Sequence, residues 1–230
     1  MPGLDSQGRP SQGSKTGLSA LPAAVAGVTI VIVIIGSAVA MFFNPLWIAF
    51  EQERVGVPAI TGYASDQVRT VTNSILADLF FGPPAFAVTV DGHPVLGADE
   101  RSHMVDVRTV LLPLAALEAL ATAVLVAVVA ANRRSVAVWR AIARGSAGLA
   151  GAGIVLGVAV LFFFDAAFLL FHRVFFPQGN FSFDPRTQRL TQLFPDQFWT
   201  DTSIAIVLAG LAIAVVVTLV ARRRAARMTA

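Results

Sequence analysis

The sequence predicts a mainly α-helical membrane protein, with four transmembrane helices and an extracytoplasmic cap containing an amphipathic helix and a small β-hairpin. Hydrophobic residues make up 56% of the 230 positions and charged residues only 13%, well below the roughly 25% of a soluble domain. The mean hydropathy is +0.72. Four apolar runs each reach about 20 residues, enough to cross a hydrocarbon core of roughly 30 Å as a helix. A soluble enzyme and a charged disordered chain are both excluded. Cysteine is absent, which removes disulfides, thiolate metal sites and cysteine nucleophiles together.

The first 20 residues are rich in Gly, Ser, Gln and Pro and read as a disordered cytoplasmic tail. Residues 21–221 form the transmembrane domain, its cap supplied by 44–109 and 171–201, and 222–230 is a basic cytoplasmic tail. The first span runs from Leu21 to Phe43. Ala38-Val39-Ala40 resembles a signal-peptide cleavage site, but the run before it exceeds the usual 7–15 residues, so a retained anchor is the better reading. The second span is about Val110 to Ala131, the third about Ala147 to Leu170 and the fourth about Thr202 to Ala221. Gly148, Gly151, Gly153 and Gly157 crowd the third span, where small residues usually mark close helix packing.

Orientation follows from charge. The N-terminus, the 132–146 loop and the C-terminus hold ten Lys or Arg residues and one acid, Asp5, whereas the opposite side holds seven arginines and eleven acids. The positive-inside rule puts both termini in the cytoplasm. The pI near 10.5 therefore reflects topology and contact with membrane lipids, not nucleic acid. The loop Arg133–Arg140, with Trp139, is read as lying against anionic headgroups.

On the outer side, Val68, Val71, Ile75, Leu76, Leu79 and Phe80 recur at helical spacing. That is an amphipathic helix, which either packs on the bundle or lies in the outer leaflet. Further on, Ala87-Val88-Thr89-Val90-Asp91-Gly92-His93-Pro94-Val95-Leu96 reads as a hairpin around a type I′ turn. Trp47 and Trp199 fall where interface anchors belong.

All three histidines lie on this outer side. His93 sits in the hairpin and reads as a solvated turn residue. His103 precedes the second span, with Asp106 at i+3 on the same helix face. A carboxylate there can fix the imidazole tautomer and raise its basicity. His172 leaves the outer end of the third span, so both histidines reach the same headgroup layer. Glu118 and Asp165 lie inside the spans, in their outer halves, where ionisable groups usually face a bundle interior or a wet cavity. An equal alternative is that each acid holds the bundle together by pairing with Arg108, Arg173 or a backbone group. This convergence suits acid–base chemistry on a substrate anchored in the outer leaflet. A zinc site from His103, Asp106 and His172 is possible by ligand type, though the spacing is not diagnostic.

Several stretches resemble the lipoprotein intramolecular transacylase (Lit) family. They are Ile60-Thr61-Gly62-Tyr63, Val71-Thr72-Asn73, His103-Met104-Val105-Asp106-Val107, Phe171-His172-Arg173-Val174-Phe175-Phe176 and Leu193-Phe194-Pro195-Asp196-Gln197-Phe198-Trp199. With the four-span layout, the resemblance covers roughly residues 20 to 221. It implies an acyltransferase that moves the sn-2 acyl chain of a diacylglyceryl-lipoprotein to the α-amine of its N-terminal cysteine, leaving a lyso-form lipoprotein. No cofactor or metal is implied.

Donor and acceptor then belong to one molecule, so proximity supplies much of the acceleration and no protein nucleophile is required. His103 is expected as the base, oriented by Asp106, with His172 as partner acid or oxyanion donor; the two roles are interchangeable. Arg173, Tyr63, Asn73, Glu118 and Asp165 are candidates for orienting the substrate. The site is expected to open sideways between helices, with Leu79, Phe80, Phe175 and Phe176 as apolar walls or lid. Two rivals remain: a non-catalytic membrane module that binds a partner through its cap, and a metal-dependent membrane hydrolase.

Overall fold

In the computed structural model, which describes residues 13–229, α1 (Gly13–Ala40) leads into three short helices. These are α2 (Pro45–Arg54), α3 (Val57–Thr61) and α4 (Ser65–Phe80). A two-stranded hairpin, β1 (Thr89–Val90) with β2 (His93–Pro94), precedes α5 (Ala98–Ala131). Then come α6 (Val136–Phe162), α7 (Phe164–Phe175), α8 (Arg189–Leu193) and α9 (Asp196–Arg227). Among the described residues α1, α5, α6 and α9 are long and apolar enough to cross a membrane. Of the expected N-terminal tail, residues 1–12 lie outside the described residues, and Gly13 already belongs to α1.

Two features of the helices bear on the site, one expected from the sequence and one not. At 34 residues, α5 is about 51 Å long. Its apolar stretch from Val110 to Ala131 accounts for the hydrocarbon core, so the turns carrying His103 and Asp106 extend past it. The third span is also not continuous to Leu170. Phe163 leaves helical geometry (φ −131°, ψ 37°), ending α6 at Phe162 and starting α7 at Phe164. Asp165 then sits in the first turn of a new helix, where the helix dipole favours a carboxylate.

The chain divides into two compact units. The first comprises the residues up to Ile35, Glu118–Gly153 and Gly210 onward. Its core is small and aliphatic: Ala26, Ile30 and Ile34 of α1, Val138, Ile142 and Ala143 of α6, and Ala214 and Ala221 of α9. Backbones approach closely there. A Cβ at Gly145 would stand 2.6 Å from the Gly27 carbonyl oxygen. Gly148 and Gly151, by contrast, have nothing within 4 Å, so packing does not require them to be glycine. The buried Ser146 and Thr218 hydroxyls meet at 2.8 Å. Trp139 donates its indole N–H to the Arg133 carbonyl at 3.0 Å, and Arg224 lies over its ring at 5.9 Å.

The second unit comprises Gly36–Leu117 and Ile154–Ala209. Asn44 caps α2, its side-chain oxygen accepting from the Leu46 and Trp47 amides at 3.0 Å each, with Pro45 opening the first turn. The apolar face of α4 (Val68, Val71, Ile75 and Leu79) is buried against Val57, Phe86, Val95, Leu96, Met104, Leu190 and Leu193. The amphipathic helix therefore packs on protein. Asp91 (φ 50°) and Gly92 (φ 79°) make the left-handed turn that closes the hairpin.

Buried polar groups tie the irregular segments of this unit together. Gln52 donates to the Leu193 carbonyl at 3.0 Å and accepts from the Thr72 hydroxyl at 3.1 Å. Glu100, only 4% exposed, accepts from the Gly97 and Leu190 amides at 2.6 Å each. That carboxylate links the start of α5 to α8.

Candidate functional site

The second unit brings His103 and His172 together, although 69 positions separate them in sequence. Their rings stack with centroids 6.2 Å apart and planes inclined by 24°. His103 is buried on α5, while His172 is half-buried on α7. Phenyl rings enclose the pair. Phe176 lies 4.9 Å from His103 and 5.6 Å from His172. Phe183 stands edge-on to His103 at 5.4 Å, and Phe168 and Phe181 lie 4.2 and 5.2 Å from His172.

Two features set the protonation states. His172 Nδ1 lies 2.8 Å from the Phe168 carbonyl oxygen, one helical turn back. A carbonyl only accepts, so Nδ1 carries the hydrogen and the neutral ring presents an unprotonated Nε2. Burial lowers the His172 pKa, opposed by that same hydrogen bond. Burial also pushes His103 down to about 4, reinforced by nearby His172 and opposed by Asp106 and Asn180. Both imidazoles are therefore neutral near pH 7. Two neutral bases side by side can accept two protons from one substrate.

Asp106 departs from the simple expectation. Its Oδ2 accepts from Gln178 Nε2 at 2.8 Å and from Asn180 Nδ2 at 2.6 Å. It acts on His103 as a nearby charge, while its hydrogen bonds go to the segment after α7. Sequence reasoning missed Asn180, Gln178, Phe181 and Phe183, which lie in a stretch without periodicity.

The other candidates are dispersed. Tyr63 lies beneath the Arg189 guanidinium at 5.0 Å, and Arg189 donates to the Thr61 carbonyl and to Gln192. Asn73 is exposed on α4, and Arg173 and Asp165 are exposed on α7. Glu118 is half-buried and belongs to the first unit. Of the expected apolar walls, Phe176 packs on both imidazoles, Phe175 is exposed, and Leu79 is buried in the core with Phe80 against it. A surface depression of about 540 Å³ in the second unit is lined by Ala49, Phe50, Glu53, Arg54 and Arg69, none of them a candidate residue. His93 is exposed in the hairpin. Among the described residues, no three His, Cys, Asp or Glu side chains are grouped to hold a metal ion.

Residues 24–199 match the family model described as lipoprotein intramolecular transacylase Lit. The fold is similar to the in meso structure of the membrane integral lipoprotein intramolecular transacylase Lit from Bacillus cereus. The TM-score is 0.79 at 19% identity, covering 92% of this chain and 98% of that one. A histidine-to-arginine variant of the same Bacillus cereus protein gives 0.73 at 19% identity, covering 94% and 96%. No match is found among curated protein sequences.

Proposed function

From the premise that this chain belongs to the lipoprotein intramolecular transacylase family, and is thus a multi-pass membrane enzyme acting on lipoproteins, we propose its substrate and the roles of its residues. The substrate is a diacylglyceryl-lipoprotein held in the outer leaflet, and both termini of the enzyme face the cytoplasm. The sn-2 acyl chain moves to the α-amine of the lipidated cysteine.

The observation that carries this proposal is the pair of neutral imidazoles 6.2 Å apart. The acceptor arrives as an ammonium and must lose two protons to become an amide. His172 Nε2 takes the first, becoming an imidazolium. The amine then attacks the sn-2 ester carbonyl, a C–N bond forms, and His103 takes the second proton. The C–O bond to glycerol breaks, and the leaving oxygen receives its proton from the His172 imidazolium. One proton is released overall, and no acyl-enzyme forms. The surrounding phenyl rings exclude water, which strengthens these charge interactions and protects the ester from hydrolysis.

The test is mass spectrometry of a lipoprotein N-terminus from cells with and without this gene expressed. The expected product carries one acyl chain on nitrogen and a free glyceryl hydroxyl. An N-terminus unchanged by expression overturns the proposal.

A further inference from the structure

We propose that Asn180 is the positioning residue of His103, relaying the Asp106 carboxylate to the imidazole through its side-chain amide. Three observations converge. Asn180 Nδ2 donates to Asp106 Oδ2 at 2.6 Å, which fixes the orientation of the amide. Its Oδ1 is then the remaining acceptor, and in the structure that atom is buried without a hydrogen-bond partner. His103 Nδ1 is likewise buried without one, and the Asn180 side chain is among the groups that hold the His103 pKa up against burial. The two orphaned buried atoms are complementary, an acceptor and a ring nitrogen able to donate.

A buried polar atom left unpaired is costly, so there is a driving force for the contact to close. Closing it places the hydrogen on His103 Nδ1 and presents Nε2 as the basic nitrogen. Asp106 would hold the amide and Asn180 would hold the ring. The relay rests on the proposed transacylase chemistry, in which His103 is the base. It adds a residue outside the short stretches that carry the sequence resemblance, in the irregular segment between α7 and α8.

The charged and titratable groups acting on His103 are Asp106 on its own helix and His172 on α7. The segment carrying Asn180 also brings Phe183, an uncharged ring, against His103. Asp184 beside it is engaged by Arg186 at 3.0 Å.

Asn180→Leu and Asn180→Ala test the relay in the full-length protein in detergent micelles. Both remove the acceptor, so the ring-nitrogen NMR shifts of neutral His103 should move from a hydrogen held on Nδ1 towards a mixture of tautomers. Each variant should lower kcat about 10- to 100-fold, the range of a misplaced catalytic group, with KM changed less than about threefold. Ring-nitrogen shifts identical in wild type and Asn180→Leu overturn the relay, as does an Asn180→Ala loss matching the unfolded fraction seen in thermal unfolding. Should Asn180→Ala fail to fold, Asn180→Leu, which fills nearly the same volume, decides alone. The NMR measurement needs no turnover, so absent acyl transfer in wild type, with the Nδ1 hydrogen lost in Asn180→Leu, would refute the transacylase reading and leave the relay standing.

Discussion

The two units solve the same problem, holding segments together, with opposite chemistry. In the first, alanines and glycines bring helix backbones close, and a buried hydroxyl pair joins α6 to α9. In the second, the chain leaves long helices repeatedly, and its loops are tied by Glu100, Gln52, Thr72 and Asp106. Every departure from a helix leaves backbone amides that need partners. Where the backbone is irregular, buried polar side chains are required, and there too sit the two imidazoles. The histidine site thus occurs where the fold already accommodates buried polar groups.

The largest expected effect separates the units by activity. His103→Asn or His172→Asn should each reduce acyl transfer about 100- to 10,000-fold, the span of general acid–base catalysis, with little change in thermal stability. Transfer retained in full in either variant would remove that histidine from the chemistry. The wild-type acid limb should fall below the ordinary imidazole value near 6.5, because burial lowers both histidines. Stability follows the same sign. The folded His103 value near 4 lies below the unfolded one, so its contribution is present above 6.5 and declines as pH falls towards 4. A limb above pH 7 in wild type is incompatible with two neutral imidazoles.

Next is the clamp of the second unit. Glu100→Ala leaves the buried Leu190 amide without its acceptor, while the amide of exposed Gly97 can turn to water. At about 1–3 kcal/mol for a buried orphaned group, the loss should fall in that range. Glu100→Gln keeps one acceptor and should cost less. Equal unfolding midpoints for wild type and Glu100→Ala would show that the clamp carries no stability.

Much of this contrast is legible in the sequence, and the rest is hidden for physical reasons. Hydropathy shows the spans, period-3.6 spacing shows the buried face of α4, and Asp91-Gly92 shows the hairpin turn. Each is encoded by neighbours in the chain. The shared layer of His103 and His172 follows from counting along the spans. The break at Phe163 is invisible because apolar residues surround it on both sides, and hydropathy does not distinguish one helix from two. The i, i+3 spacing predicts Asp106 beside His103, but Asn180 and Gln178, which hold that carboxylate, lie more than 70 positions away in a segment without periodicity. Glycine density points to Gly148, Gly151, Gly153 and Gly157, of which Gly153 and Gly157 do face close neighbours, Leu211 and Val207; the closest approach is nonetheless at Gly145, because composition does not reveal which face meets a neighbour.

Gly145 gives the third test, now in the first unit. A methyl group there would press on the Gly27 carbonyl at 2.6 Å and on Ile30 at 3.1 Å. The obstacle is largely backbone, so α1 and α6 must move apart. Gly145→Ala should cost about 1–3 kcal/mol, as overpacking does, whereas Gly148→Ala, with open space, should be neutral or slightly stabilising through helix propensity. Equal effects at both positions would show that the close approach is not what holds this unit.

The smallest effect is expected at the hydroxyl pair, and counting protons explains why. Ser146 Oγ approaches the Ile142 carbonyl at 2.8 Å, Thr218 Oγ1 approaches the Ala214 carbonyl at 2.7 Å, and the two hydroxyls meet at 2.8 Å. Two hydrogens serve three short contacts. If each hydroxyl donates to its own helix, the interhelical contact carries no proton. If one donates across, a carbonyl loses a partner it shares with its own helix anyway. Either way the net gain is small, and such bonds between membrane helices average about 0.6 kcal/mol. Thr218→Val, which preserves shape, should cost about that much, and a double-mutant cycle with Ser146→Ala should give a coupling below about 1 kcal/mol. A coupling above about 2 kcal/mol would mean that the first unit, like the second, depends on its buried polar contact.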